Sequence, residues 1–156
     1  MRTPRLGVKA LIVRGGHVLM NRYLDPDGTE VFALPGGGQE HGEDQVSALI
    51  RECREEIGAR IEVFQVACLF EVFSTERMVD GTPIPPFHQV NVAYWCDLGE
   101  GEEPGPGTDP DPGQAGTAWL ALDRLGDHVI HPVELVRWLE ADPSSRPVSL
   151  GATGRS

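Results

Sequence analysis

Residues 34–59 read LPGGGQEHGEDQVSALIRECREEIGA, from Leu34 to Ala59: a run of three glycines, an acidic turn and a segment with helical spacing. At about 100° per residue, positions i, i+3 and i+4 share a face. Glu52, Glu55 and Glu56 stand in that relation. Three like charges so close repel one another, and a plain solvated acidic face would gain nothing from them. Hard divalent cations remove the conflict, because carboxylate oxygens are the ligands that Mg²⁺ and Mn²⁺ take. On the opposite side Val46, Leu49, Ile50, Cys53 and Ile57 recur three and four apart, the spacing of a buried stripe. Asp44 suits an N-cap and Gly58 a C-cap. The segment is expected to be a helix pinned to a core by one face and offering oxygen ligands on the other.

These residues resemble the Nudix box. That pattern runs Gly, five residues, Glu, seven residues, Arg-Glu, an apolar residue, any, Glu-Glu, any, Gly, apolar. Here it is filled by Gly37, Glu43, Arg51, Glu52, Cys53, Glu55, Glu56, Gly58 and Ala59. Cys53 and Ala59 are small for their apolar slots, which bears on local packing and not on chemistry. The resemblance implies an α+β fold, a mixed curved β-sheet sandwiched between α-helices. It implies a divalent-metal-dependent pyrophosphohydrolase, with Mg²⁺ as the cofactor and Mn²⁺ as the alternative. The substrate class would be a nucleoside diphosphate linked to another moiety: a nucleoside triphosphate, ADP-ribose or a nucleotide sugar. By the same resemblance Glu52, Glu55 and Glu56 are metal ligands, joined by the Gly36 carbonyl. Arg51, four residues before Glu55, would orient that carboxylate. For Glu43 a capping role at the helix start and a catalytic role both stand.

Other candidates lie outside the box. Arg22 alternates with Val18 and Met20 and stands where some Nudix hydrolases place a phosphate-binding arginine; a solvated edge arginine is the other reading. Lys9 and Arg14 are weaker candidates of the same kind. Phe32, His88 and Gln89 are candidates to contact a base or sugar, although His88 also reads as a hydrogen-bonded strand histidine. The family often recruits one more acid from a late loop. Gln114 and Trp119 point to Asp111 and then Asp109 in that role, ahead of Glu102, Glu103 and Asp97.

Composition bounds the rest. At 156 residues and 40% hydrophobic content the chain reads as one globular domain over residues 1–141, with 142–156 expected to be a disordered tail. Short strands are expected at 8–13, 17–23 and 31–34, long ones at 61–73 and 87–98, and a last one at 118–122. Loops are expected at 74–86 and 99–116, and a second helix at 132–140. No apolar run reaches the roughly 20 residues of a membrane span. The N-terminus lacks the pattern of a signal peptide. Cys53, Cys68 and Cys96 read as reduced core residues, so a cytoplasmic location is expected. A net charge of −11 disfavours long nucleic acid but not a small phosphorylated, metal-bridged nucleotide. A homodimer is the commonest assembly of such chains.

Two other functional classes compete. One is a Nudix-like module that binds a nucleotide metabolite without hydrolysing it, although every box acid is kept here. The other is a prenyl-diphosphate isomerase on the same fold, which would need a reactive cysteine such as Cys68 or Cys96 in an apolar pocket.

Overall fold

Gly15 and Gly16 both adopt positive φ and fold Arg5–Arg14 (β1) back onto His17–Leu24 (β2). This computed structural model of the chain describes residues 3–79 and 81–153. The hairpin pairs only Val13 with Val18 and Arg14 with His17 before its strands part. β2 goes on to pair antiparallel with Glu30–Ala33 (β3), while β1 takes Gly36–Gly38 (β4) on one side. After the helix Gln45–Ile57 (α1) come Ile61–Ser74 (β5), the short Arg77–Val79 (β6) and Thr82–Ile84 (β7), and Phe87–Leu98 (β8). β8 lies parallel to β1 and antiparallel to β5. Gln114–Ala121 (β9) pairs with β2, and Val129–His131 (β10) lies parallel to β3. Glu134–Glu140 (α2) and Ser149–Thr153 (β11) complete the chain, and β11 lies parallel to β5. The main sheet order is β10-β3-β2-β1-β8-β5-β11.

Strand alternation divides the core in two. Val8, Ala10 and Ile12 of β1 meet Leu49, Cys53 and Ile57 of α1 on one face. Leu11, Met20, Phe32 and Phe70 meet Leu135 and Trp138 of α2 on the other. The expected mixed sheet between helices is therefore present.

The α1 boundaries follow from local chemistry. The Asp44 carboxylate accepts from the Ser47 N–H at 2.8 Å, and Gly58 ends the helix in the left-handed region. Asp44→Ala is expected to cost about 1 kcal/mol in a denaturant titration. Two stripe positions differ from expectation. Val46 is exposed and Ile50 only half-buried, whereas Ala48 and Glu56 are buried.

Two further segments differ. Residues 74–86 contain the β6–β7 ribbon, with Met78 opposite Pro83. The tail expected to be disordered is ordered from Asp142 to Thr153, and residues 154–156 lie outside the described residues. Its order comes from outside itself. The Leu69 N–H donates to Val148 O, and Trp138 Nε1 donates to Pro147 O, both at 2.8 Å. Arg146 donates to the carbonyls of Trp138 and Leu139 while its guanidinium lies 4.7 Å from the Trp138 ring and 5.9 Å from the Trp95 ring. The long loop ahead of β9 is irregular, as expected, yet it is fixed by its backbone. Gly105 N donates to Ile57 O at 2.7 Å and Asp109 N to Glu55 O at 2.9 Å, so the loop serves carbonyls that the end of α1 leaves open. Gly107 lies so close that a Cβ there would stand 1.8 Å from Glu55 O.

Candidate active site

Arg51 is the hub of the acidic face of α1. Its Nη2 donates to Glu43 at 2.7 Å and to the Gly38 carbonyl at 3.0 Å, and Nε reaches the second Glu43 oxygen at 3.2 Å. Its Nη1 donates to Glu52 at 2.9 Å and to Glu55 at 3.3 Å. One planar guanidinium thus ties three carboxylates to the glycine turn, a geometry that suits arginine and not lysine. The hydrogen bonds from Arg51 hold the Glu43 carboxyl below its ordinary range. Glu43 also accepts from the Glu40 N–H at 2.8 Å, so it ties down the turn before α1 as well. Glu52 is shifted the other way, because burial outweighs Arg51 and pushes its carboxyl up. Gly37 leaves room for Glu52: a Cβ there would stand 2.5 Å from the Glu52 carboxylate and push it aside.

Glu56 points inward. It is 2% exposed, and every hydrogen-bond donor on its side chain is neutral: Asn21 Nδ2 at 2.7 Å and the Gly36 N–H at 3.1 Å. Burial pushes its carboxyl up to about 8, against the pull of the Lys9 ammonium. Lys9 Nζ itself donates to Gly36 O at 3.3 Å. Among the described residues, no three carboxylate, imidazole or thiol groups converge as a preformed cation cage. Glu52 and Glu55 are drawn to Arg51, while Glu56 turns to the strands. The donors fit a hard cation in kind, since a buried carboxylate with only neutral donors in contact carries charge that a divalent ion would offset.

Asp111 joins this cluster through the loop. Tyr23 donates its hydroxyl to Asp111 Oδ2 at 3.1 Å, and Gln114 Oε1 accepts from the Asp111 N–H at 3.1 Å. Gln114 Nε2 donates to the Glu56 carbonyl at 2.8 Å, so one side chain couples the loop to α1. Burial, then the charges of Glu56 and Asp111, raise the Tyr23 hydroxyl well above its ordinary range and keep it a donor. A depression of about 470 Å³, lined by Glu56, Pro106, Pro110, Gln114 and Thr117, opens beside this group.

Other candidates lie apart from the cluster. Glu102 accepts from the Arg60 N–H, Glu103 pairs with Arg14, and Asp97 is exposed at the end of β8. Arg22 is paired with Glu30 and donates to Ala115 O at 3.2 Å. Phe32 is 5% exposed, edge-on to His128 in the α2-side core. His88 is bonded to Glu71 at 3.0 Å and stacked on Phe73. Gln89 is buried and donates to Asn91 at 2.7 Å. Asn21, Tyr23 and Asn91 were not singled out from the sequence; the available signal is a polar residue inside an apolar strand run, VLMN and VNVA.

A family model described as NUDIX domain matches residues 3–139. The chain belongs to the Nudix family of hydrolases, enzymes of pyrophosphate bonds. Among solved structures, it is similar to a MutT NUDIX hydrolase from Burkholderia pseudomallei. The two are 28% identical, with 89% of this chain and 98% of that one covered at a TM-score of 0.62. A NUDIX hydrolase from Nitrosomonas europaea shares the fold at a TM-score of 0.68, with 18% identity over 99% of this chain and 81% of that one. An ADP-ribose pyrophosphatase from Streptococcus suis does so at 0.60, with 19% identity over 96% and 99%. The box residues of the Nudix pattern are those that Arg51 and Glu56 organise here.

Proposed function

We propose that this Nudix hydrolase cleaves the pyrophosphate of a small nucleoside diphosphate derivative, using Mg²⁺ or Mn²⁺ held by Glu52, Glu55, Glu56 and the Gly36 carbonyl. The observation that carries the reading is the buried Glu56 carboxylate, in contact only with neutral donors and on the same helix as Glu52 and Glu55. A divalent ion bound there supplies charge neutralisation at the phosphoryl oxygens and a more acidic water. Arg51 fixes the directions of Glu52 and Glu55, and the Gly36 N–H and Asn21 fix Glu56. Asp111, held at Oδ2 by Tyr23, would accept a proton from the attacking water at Oδ1. Positioning and electrostatics carry most of phosphoryl transfer, so this set is chemically sufficient.

A phosphate-release panel with Mg²⁺ or Mn²⁺ tests the proposal. It spans nucleoside triphosphates, ADP-ribose, nucleotide sugars and dinucleoside polyphosphates, with Glu56→Gln as the blank. Turnover of one class that the variant loses is the expected result; tight binding without turnover of any class would overturn it. Arg51→Lys keeps the charge but cannot serve three carboxylates and the Gly38 carbonyl together. In that variant kcat/KM is expected to fall about 10- to 100-fold, and the Mg²⁺ concentration for half-maximal rate to rise.

A further inference from the structure

The α2-side face of β1 and β8 changes character at one end. Toward Leu11 and Ala93 it is core, but at Gly7 two side-chain amides lie on the sheet. Gln89 is 8% exposed and Asn91 1% exposed, and Gln89 Nε2 donates to Asn91 Oδ1 at 2.7 Å. Gly7 is the seat of the pair: a Cβ there would lie 2.3 Å from both Asn91 Oδ1 and Gln89 Nε2. Burying two amides is unfavourable unless their polar atoms are satisfied, and apolar side chains would fill the same place at less cost.

The pair is only half satisfied. Gln89 Oε1 and Asn91 Nδ2 have no hydrogen-bond partner among the described residues. Neither is among the sealed unpartnered side-chain atoms, which are Gln39 Oε1 and Glu134 Oε2. Each therefore keeps a narrow contact with solvent at the edge of the buried pair. The pair shows one acceptor and one donor side by side, and turning both amides over exchanges the two without changing that offer. Strand alternation puts Gly7 on the same face as Lys9, about 7 Å along β1, and Lys9 Nζ bonds the Gly36 carbonyl. Opposite Gln89 in the ladder stands Arg5, whose guanidinium lies over Gly38 with no carboxylate partner among the described residues.

We propose that the Gln89–Asn91 amide pair, seated on Gly7, reads the hydrogen-bonding edge of a nucleobase whose phosphates lie at the box helix. A base edge offers a donor beside an acceptor, which paired amide groups match. The planar Arg5 guanidinium suits the face of the same ring. The assignment rests on the proposal that Glu52, Glu55 and Glu56 hold the phosphate end, but its test does not depend on turnover.

Calorimetric binding of AMP, GMP, CMP, UMP and ribose 5-phosphate, with Mg²⁺ present, separates base from sugar phosphate. The full chain and its Gln89→Met and Gly7→Ala variants are compared, with melting curves to confirm folding. The parent is expected to bind at least one nucleotide about tenfold or more tightly than ribose 5-phosphate. Both variants should erase that ratio while leaving ribose 5-phosphate affinity unchanged. A parent that does not distinguish nucleotides from ribose 5-phosphate overturns the assignment. So does a folded Gln89→Met variant that keeps the ratio, or one that loses ribose 5-phosphate equally. Absence of turnover across the phosphate-release panel, with the binding ratio intact, would overturn the hydrolytic reading alone.

Discussion

Glu56→Gln is expected to fold, to melt at a higher temperature than the parent in EDTA, and to turn over substrate at least on the order of a hundredfold more slowly. The two effects share one cause. In the metal-free protein the Glu56 carboxyl is buried and pushed from an ordinary value of 4.5 up to about 8. The folded state then binds this proton more tightly than the unfolded state does. The group's stabilising contribution is complete below about 4.5 and is lost as pH rises through about 8. Metal-free parent should therefore lose melting temperature across that window, and Glu56→Gln should lose less. Asn21 can turn its amide to accept from the new side-chain nitrogen, giving up its long contacts with Gln114 Nε2 and the Tyr23 hydroxyl, while Gln114 keeps its bond to the Glu56 carbonyl. Melting curves in EDTA from pH 5 to about 8.5, alongside the phosphate-release rate, check both halves. A variant that melts lower than its parent at pH 8 would show that the Glu56 charge is already compensated without metal.

Gly107→Ala is expected to be severely damaging for a single added methyl group. Its Cβ would fall 1.8 Å from Glu55 O and 2.5 Å from the Glu55 carbonyl carbon, both backbone atoms inside α1. The loop can relieve that only by leaving the helix, which breaks the bonds to the carbonyls of Arg54, Glu55 and Ile57. Three backbone hydrogen bonds of ordinary strength come to about 2–4 kcal/mol. Asp111 travels on the same loop, so turnover should fall with stability. Gly105→Ala is the control, since a Cβ there meets nothing within 4 Å and its φ is not in the left-handed region. Urea unfolding of the two variants should separate them clearly. Equal midpoints would mean that the loop does not hold the end of α1.

Features written in local chemistry were legible in the chain. Asp44, Gly58, Glu52 and Glu55 act within about one turn of where they stand, so spacing located α1 and its acidic face. The partners of Glu56 were not legible, because Asn21, Gly36 and Gln114 reach it from three separate segments. Asp111 could be favoured over its neighbours only through Gln114 and Trp119, and the structure adds Tyr23 as its hydroxyl partner. Arg51 was expected to orient Glu55, and its donors take Glu43, Glu52 and the Gly38 carbonyl too. The last segment misled because its residues are polar and proline-rich, the composition of a free end. Trp95, Trp138 and the open edge of β5, all earlier in the chain, order it.

That last segment also separates two boundaries that are easily confused. The family match stops at residue 139, inside α2, whereas the sheet acquires its outermost strand only at Ser149. A fragment cut to the homology limit would keep every acid of the box. It would also strip Arg146 from beside two tryptophans and leave the Trp138 indole N–H without its acceptor. For this chain the stretch matched by the family model is therefore a smaller unit than the sheet it helps to build.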